Sequence, residues 1–321
     1  MPALEFKTIA VIGFGEAGGI LGAELARKSG VTVRAYDILL ADAAERAAML
    51  TKAGAAGVEA AESHADAVRG ADLVISAVTA ASSVDAARTV APHLAKGQIF
   101  LDLNSVSPEA KRLSAGMVEG AGADYVEAAV MAAVPPKRLA VPMLLGGRRA
   151  SEVADALNRM GFAAEAVADR IGVASAIKMC RSVMIKGLEA LTVECLLGAR
   201  RYGAEAQVLA SLAGTFPGMG WDRELPNYLI GRVAEHGRRR AAEMREVAAT
   251  LVDGGIAPRM ATATGELHDW FVHALAECGS LFSSNRTFDW RNAVDALLKL
   301  DGQAEKEEPR SGSVPKPGVA A

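Results

Sequence analysis

The stretch Thr8-Ile-Ala-Val-Ile-Gly13-Phe14-Gly15-Glu16-Ala17-Gly18 decides the fold of this chain. A short β-branched run leads directly into G-x-G-x-x-G, and a helix-compatible segment, Ile20 to Lys28, follows it. A second strand-like run, Val31 to Tyr36, ends at Asp37. Strand, glycine turn, helix, strand and acid in this order predict a Rossmann βαβ unit.

The three glycines of the turn have separate physical tasks. Gly13 permits the tight strand-to-helix turn, Gly15 lets the backbone approach a pyrophosphate, and Gly18 lets the helix pack against the sheet. The N-terminus of the helix adds free N–H groups and the positive end of its dipole. We therefore predict a dinucleotide site whose phosphates are held by Gly13, Phe14, Gly15, Glu16, Ala17 and Gly18.

Asp37 indicates which dinucleotide is bound. It lies 19 residues after Gly18, where a carboxylate accepts hydrogen bonds from the adenosine ribose and repels a 2′-phosphate. The three residues after it, Ile38 to Leu40, include no Arg or Lys that could receive such a phosphate. We expect NAD, with NADP the less favoured cofactor. The alternative is that Asp37 merely caps the next turn.

The composition favours a soluble, globular, cytoplasmic protein. The 321 residues are 51% hydrophobic and carry a net charge of −3, a balance that suggests neither nucleic acid nor membrane as a partner. Glu5 and Lys7 precede a strand rather than a cleavable signal. The three cysteines are too scattered for a disulfide framework or a zinc site, and the histidines have no metal-ligand spacing. We expect no metal.

The first half of the chain alternates strand-like runs with Ala-rich helical segments. After Tyr36 the predicted strands are Leu73–Val78, Ile99–Leu103, Tyr125–Ala129, Pro142–Leu145 and Ala163–Val167. The predicted helices between them are Ala41–Ala53, Glu59–Val68, Ser82–Leu94 and Ala150–Met160. This alternation predicts a mostly parallel sheet with helices on both faces. Later segments show only helical patterns: Ile171 to about Arg201, Pro226–Asp253 and Ala261–Cys278.

The predicted fold class is therefore an α/β Rossmann domain in residues 1–170, followed by an all-α C-terminal domain in residues 171–301. Residues 302–321 mix Glu, Lys, Pro, Gly and Ser and are predicted to be a disordered tail. The long helix from Ile171 is so apolar that most of its sides must be buried. We expect it to connect the domains and to form a homodimer or a higher homo-oligomer.

Lys178 is the candidate catalytic residue. Ile177 and Met179 flank it in a strongly apolar segment. A lysine in an apolar cleft loses hydration of its ammonium form, so its pKa falls and its amine can exchange a proton with an alcohol or carbonyl. The alternative is an aliphatic stem along the core with the amine in water.

These motifs together resemble the β-hydroxyacid dehydrogenase superfamily, which includes 3-hydroxyisobutyrate and 6-phosphogluconate dehydrogenases. The features that carry the resemblance, over about residues 8 to 200, are the glycine turn, Asp37, Asp102-Leu-Asn-Ser-Val-Ser-Pro108 and the Gly172-x-x-x-x-x-Lys178 helix. The stretches Lys178 to Ala190 and His236 to Met244 resemble a branch whose helical domain has no assigned function. The resemblance implies that Lys178 is catalytic. It also implies nicotinamide-side contacts from the ends of the third and fourth predicted strands, Val78, Thr79, Asn104 and Ser105. We expect Asn104 and Ser105 to contact the substrate as well.

Two departures from the family pattern concern the substrate. The family has Asn four residues after the lysine, where this chain has Ser182, preceded by Arg181. The family's Ser-Gly-Gly turn, which binds a carboxylate, appears here as Met131-Ala-Ala. We expect Met131 to suit a larger or more apolar substrate, with Arg181 holding an anionic group and Ser182 beside it.

A helical stripe in the second domain supplies the remaining candidates. His236, Arg240 and Met244 lie at i, i+4 and i+8, so they can close over a substrate from the second domain or from a partner subunit. The alternative is a solvated basic face with Arg239 paired to Glu243.

The sequence predicts a nicotinamide-dependent oxidoreductase that interconverts a hydroxyl and a carbonyl on a small molecule. The dinucleotide accepts the hydride while neutral Lys178 takes the hydroxyl proton. Two alternatives stay open: an imine reductase on the same scaffold, and a dinucleotide sensor without catalysis.

Overall fold

The structure is a computed structural model that describes residues 4–279 and 288–307. It divides into two compact units. The first comprises the chain through Val183 together with Glu243–Ala261, and the second comprises Met184–Ala242 and the described residues from Thr262 onward.

The first unit is built on one eight-stranded sheet. In chain order the strands are β1 (Thr8–Ile12), β2 (Thr32–Tyr36), β3 (Glu59–Ala60), β4 (Leu73–Ser76), β5 (Ile99–Asp102), β6 (Asp124–Val130), β7 (Pro142–Gly146) and β8 (Ala163–Ala168). Their spatial order is β3-β2-β1-β4-β5-β6-β7-β8, and every pair is parallel except β6 with β7. The prediction of a mostly parallel sheet is confirmed.

Seven complete helices and the start of an eighth belong to the described residues of the first segment of this unit, which ends at Val183. They are α1 (Glu16–Ala26), α2 (Arg46–Ala56), α3 (His64–Val68), α4 (Ser83–Val90), α5 (Pro108–Gly120), α6 (Val134–Lys137), α7 (Ala150–Arg159) and α8 (Val173–Arg201). Short 3-10 turns lie at Ile38–Leu40, Ala80–Ser82, Ala91–His93 and Arg138–Ala140. The later helices are α9 (Glu205–Thr215), α10 (Leu225–Asp253), α11 (Arg259–Glu277) and α12 (Trp290–Glu307). The predicted helical C-terminal region is confirmed.

Two predicted helices begin later than the sequence pattern indicated. The predicted helix Glu59–Val68 is wrong for its first part, because Glu59 and Ala60 pair with β2 and the helix starts only after Ser63. The Ser63 hydroxyl accepts a hydrogen bond from the Asp66 N–H and so caps α3. The predicted helix from Ala41 starts at Arg46, because the Asp42 carboxylate holds a turn before it.

Helices α5, α6, α9 and α12 were not predicted. A local signal for α5 was present, since Ser107 accepts from the Ala110 N–H and Pro108 takes the first helical position. Helix α12 extends through residue 307 and includes residues 302–307 of the predicted tail. Ala, Glu and Lys in that stretch favour a helix. Residues 308–321 of the tail lie outside the described residues.

The compact units divide the chain later than the predicted boundary at residues 170 and 171. The start of α8 belongs to the first unit, because Met179 packs there with Met244, Val247 and Ala261. Each unit has its own apolar core. The first surrounds the sheet, and the second contains the buried side chains of Val193, Leu196, Ile230, Phe271 and Val294.

Candidate functional site

The glycine turn after β1 is too crowded for larger residues at two of its three glycines. Gly13 has φ +88°, and a Cβ on it would lie 2.6 Å from the Ala77 carbonyl oxygen. A Cβ on Gly18 would lie 2.0 Å from the Gly13 carbonyl oxygen. A Cβ on Gly15 would instead enter open space. Helix α1 begins directly after Gly15 without a side-chain cap, so its first N–H groups point to the place where a phosphate fits.

A cavity of about 490 Å³ lies beyond the carboxyl ends of β1, β2 and β4. Its lining includes five predicted cofactor residues: Gly13, Gly15, Asp37, Val78 and Thr79. The other five, Phe14, Glu16, Ala17, Gly18 and Asn104, are not among its lining residues. Ligands of open α/β sheets bind at this edge, and the open space at Gly15 fits the diphosphate of a dinucleotide.

Asp37 combines the two roles that the sequence offered as alternatives. Its Oδ1 accepts from the Leu39 N–H at 3.0 Å, which caps the 3-10 turn, and its Oδ2 accepts from the Phe14 N–H at 2.6 Å. The carboxylate also lines the cavity. Because each carboxylate oxygen has two lone pairs, both can still accept a hydrogen bond from a ribose hydroxyl.

His64 lines the same cavity and was not predicted as a site residue. It begins α3 and packs against Tyr36, with ring centroids 4.4 Å apart and planes tilted by 58°. Burial, and next the charge of His93, lower the pKa of His64 below 6.5. A neutral, flat ring on the cavity wall suits an aromatic base. The sequence did not mark His64 as a site residue because its contact with Tyr36 joins two elements that are separate in the chain.

Asn104 joins the ends of two strands. Its Oδ1 accepts from the Val78 N–H at 2.8 Å, and its Nδ2 donates to the Ser76 hydroxyl at 2.9 Å. The side chain is buried, whereas the neighbouring Ser105 is half-buried. These bonds give Asn104 a structural role, so its predicted contacts with nicotinamide and substrate, and those of Ser105, stay predictions.

A buried polar group below Asn104 anchors this strand end. Asp102 Oδ1 lies 3.0 Å from Lys111 Nζ and accepts from the Asn104 N–H at 2.9 Å. The Tyr125 hydroxyl donates to Asp102 Oδ2 at 2.6 Å. Burial, and then the Asp102 charge, raise the pKa of Tyr125 well above 10, so the hydroxyl stays protonated as a donor. Sequence patterns did not reveal this group.

The first turn of α8, which precedes Lys178, is fixed by a buried carboxylate on β6. Glu127 accepts from the N–H groups of Gly172, Ala174 and Ser175 at 2.6, 3.1 and 3.3 Å, and from the Ser175 hydroxyl at 2.8 Å. Lys178 follows within one turn of Ser175 and is half-buried. The negative charge also lies at the positive end of the helix dipole. Sequence reasoning missed Glu127.

The other predicted substrate residues lie in different environments. Arg181 is exposed, Ser182 is buried, and Met131 is half-buried after β6, where its N–H donates to the Pro142 carbonyl at 2.8 Å. A second cavity, of about 820 Å³, adjoins the opposite side of α8 and is lined by Ile177 and Cys180 rather than Lys178.

Arg240 is buried, so the alternative of a solvated basic face is wrong at this position. Its guanidinium pairs with the buried Glu189 through Nε and Oε2 at 2.6 Å and through a second contact between Nη2 and Oε1. His236 is half-buried on the same helix, and its burial lowers its pKa below 6.5. Both residues belong to the second unit, so their predicted closure over a substrate stays a prediction.

Two kinds of site are not seen in the part of the chain that the structure describes. Within residues 4–279 and 288–307, no cluster of three or more His, Cys, Asp or Glu side chains could hold a metal ion. Among the same residues, no helix is both long enough and apolar enough to cross a membrane.

Comparisons with known proteins agree with this geometry. Residues 8–172 match the NAD binding domain of 6-phosphogluconate dehydrogenase, and residues 199–271 match a domain of unknown function, DUF1932. A solved structure of a conserved hypothetical protein from Sinorhizobium meliloti is 40% identical, covers 93% of this chain and 97% of its own, and superposes with a TM-score of 0.78.

Two relatives of named activity are more distant. The NAD-dependent L-serine dehydrogenase of Pseudomonas aeruginosa is 27% identical over 232 residues, which are 69% of this chain and 74% of the relative. The structure of the 3-hydroxyisobutyrate dehydrogenase of Mycobacterium tuberculosis with L-serine is 19% identical, with a TM-score of 0.68 over 91% of this chain and 99% of its own. At that identity the likeness shows the fold alone.

Proposed function

Since the chain belongs to the family defined by the NAD binding domain of 6-phosphogluconate dehydrogenase, we propose that it oxidises a hydroxyl group to a carbonyl with Lys178 as general acid–base. The observation that carries the proposal is the placement of Lys178. It is half-buried, one turn into a helix whose start is held by four hydrogen bonds to Glu127. A proton-transfer group needs such a fixed position.

The reaction requires one group that accepts the proton of the substrate hydroxyl and a second that accepts the hydride from the same carbinol carbon. A bound nicotinamide supplies the hydride acceptor. Lys178 Nζ takes the hydroxyl proton as the carbonyl forms and returns it in the reverse direction. The strand ends carrying Val78, Thr79 and Asn104 position the nicotinamide side of the cofactor.

The proposed substrate is a hydroxyacid with a larger or more apolar group than the simplest members of this class. Met131 places a thioether, not a hydroxyl, after β6, and exposed Arg181 can hold the acid. The same Met131 favours an imine reductase as second candidate, because an imine substrate needs no carboxylate turn. We further propose NAD rather than NADP because Asp37 lines the cavity. A homodimer in the cytoplasm stays a prediction.

The test is the initial rate of NADH formation over a panel of hydroxyacids of increasing size, with L-serine and 3-hydroxyisobutyrate included. Lys178→Met is compared with wild type and with Lys96→Met, a change at an exposed residue outside the site. We expect Lys178→Met to lower kcat at least about 100-fold while NAD binds with unchanged affinity.

Two results would count against this proposal. Unchanged kcat in Lys178→Met removes the lysine from the chemistry. Tight NAD binding without turnover of any alcohol, combined with reduction of cyclic imines by NADH, supports the imine reductase; tight binding without either reaction supports a sensor.

A further inference from the structure

Lys52, on α2, contacts the glycine turn from outside the G-x-G-x-x-G motif. Its Nζ donates to the Phe14 carbonyl at 2.6 Å and to the Gly15 carbonyl at 2.8 Å. The same ammonium group lies 5.3 Å from the centroid of the Phe14 ring, within the range of a cation–π contact. The lysine is exposed and does not line the cavity.

Because the peptide bond is planar, the contact of Lys52 with the two carbonyl groups also fixes the direction of the N–H groups at the phosphate site. In a planar trans peptide the C=O and the following N–H point in opposite directions. Holding the carbonyls of Phe14 and Gly15 on one side therefore directs the N–H groups of Gly15 and Glu16 to the other. These are the first donors at the uncapped N-terminus of α1.

Two further observations fit this arrangement. The peptide N–H of Phe14 is held by Asp37 at 2.6 Å, so both polar backbone groups of Phe14 have side-chain partners. A Cβ on Gly19 would lie 3.2 Å from Lys52 Cε and 3.3 Å from Nζ. Glycine inside a helix is less stable than alanine, and here it leaves room for the lysine.

We infer that Lys52 is a positioning residue for the dinucleotide: it orients and polarises the backbone N–H groups that receive the diphosphate. Hydrogen bonding of a carbonyl to a cation strengthens the N–H donor of the same peptide group. The ligand part that depends on Lys52 is thus the diphosphate, not the adenosine. The inference rests on the proposed dinucleotide binding and goes beyond it.

The test measures the affinity of Lys52→Met for fragments of the cofactor by calorimetry. The probes are ADP-ribose, adenosine, NAD and NADP, with wild type and Lys96→Met, another exposed lysine variant, as controls. We expect ADP-ribose and NAD to bind about tenfold more weakly to Lys52→Met, because hydrogen bonds to charged groups contribute on that scale. Adenosine affinity and the melting temperature stay as in wild type, and KM for NAD rises while kcat does not change.

Each other outcome overturns the inference in a different way. Unchanged affinity for ADP-ribose means that the turn holds its shape without Lys52. Equal losses for ADP-ribose and adenosine, with a lower melting temperature, indicate a merely structural lysine. A larger loss for NADP than for NAD means that Lys52 contacts a 2′-phosphate directly. If wild type binds neither ADP-ribose nor NAD, the proposed function itself fails, which separates the two hypotheses.

Discussion

The Asp37 carboxylate links the glycine turn to the end of β2 through a single side chain. It accepts from the N–H groups of Phe14 and Leu39 and lines the cavity. These contacts fix a negative charge at the cavity wall, where we propose that the ribose of a dinucleotide binds. We propose that this charge, rather than the hydrogen bonds alone, disfavours the 2′-phosphate of NADP.

Replacing Asp37 by Asn separates charge from hydrogen bonding. The amide keeps one oxygen acceptor but removes the repulsion of a 2′-phosphate, so the ratio of NADP to NAD affinity should rise about tenfold. Titrations of both cofactors measure this ratio. An unchanged ratio would mean that the discrimination between NAD and NADP comes from elsewhere in the cavity.

Tyr125 makes the stability of the first unit fall at alkaline pH. Its pKa is raised in the folded state, so its contribution is complete below the unfolded value of 10 and is lost as pH rises above it. We expect Tyr125→Phe to cost about 1 kcal/mol at pH 8, where the bond to Asp102 is lost. Above pH 10 the variant should lose stability less steeply than wild type in urea unfolding; parallel curves would exclude this role.

Sequence reasoning at this scale depends on patterns whose physical cause is local. Gly13 and Gly18 follow from the turn itself, and Asp37 follows from its spacing. Lys52 and His64 reach the site from elements distant in the chain, so no local pattern marks them. Their contacts depend on how β1, β2 and β3 align.

At the scale of elements, the start of α8 depends on β6. Glu127 is fully buried, and a Cβ on Gly146 would lie 2.5 Å from its Oε1, so the adjacent strand leaves room for the carboxylate. The helix that carries Lys178 is thus fixed to the sheet by its first turn. A helix cap from another element is invisible in the local sequence.

Glu127→Gln tests this connection. The amide keeps one oxygen as an acceptor, but its NH₂ group faces N–H donors that bonded to the second carboxylate oxygen. We therefore expect the free energy of unfolding to fall by about 2–3 kcal/mol. Hydrogen exchange at Gly172, Ala174 and Ser175 should accelerate. Glu165→Gln, at an exposed residue of β8, is the matched control. Exchange that matches wild type at these amides would show that packing alone holds the turn.

Prediction of strands succeeded for seven of the eight strands, including the edge strand β8, and failed for the two-residue strand β3. The runs around Leu73 and Ile99 are continuous and apolar because parallel strands are buried on both faces. Strand β3 has only two residues, Glu59 and Ala60, and pairs on one side. Its existence depends on β2, so the sequence by itself predicted a helix.

At the scale of the whole molecule, each unit has its own apolar core, so we expect a change in the second core to lower stability without weakening cofactor binding. Every residue that lines the cavity beside the glycine turn belongs to the first unit, whereas Phe271 is fully buried in the second core. Phe271→Ala should cost about 3–5 kcal/mol in the second unit. NAD affinity, measured at low temperature where the variant is folded, should stay within twofold of wild type; a large loss would tie cofactor binding to the second core.

The strand order also determines when the neighbours of β1 become available during protein synthesis. Strand β1 is flanked by β2 and β4, and β4 leaves the ribosome long after β1. Until β4 emerges, one edge of β1 stays open and the Gly13 turn has no Ala77 carbonyl to pack against. The wall formed by Val78 and Thr79 is also absent from the growing chain until then. We therefore expect cofactor capture during synthesis to begin only after Thr89, the last residue that lines the cavity, has left the ribosome.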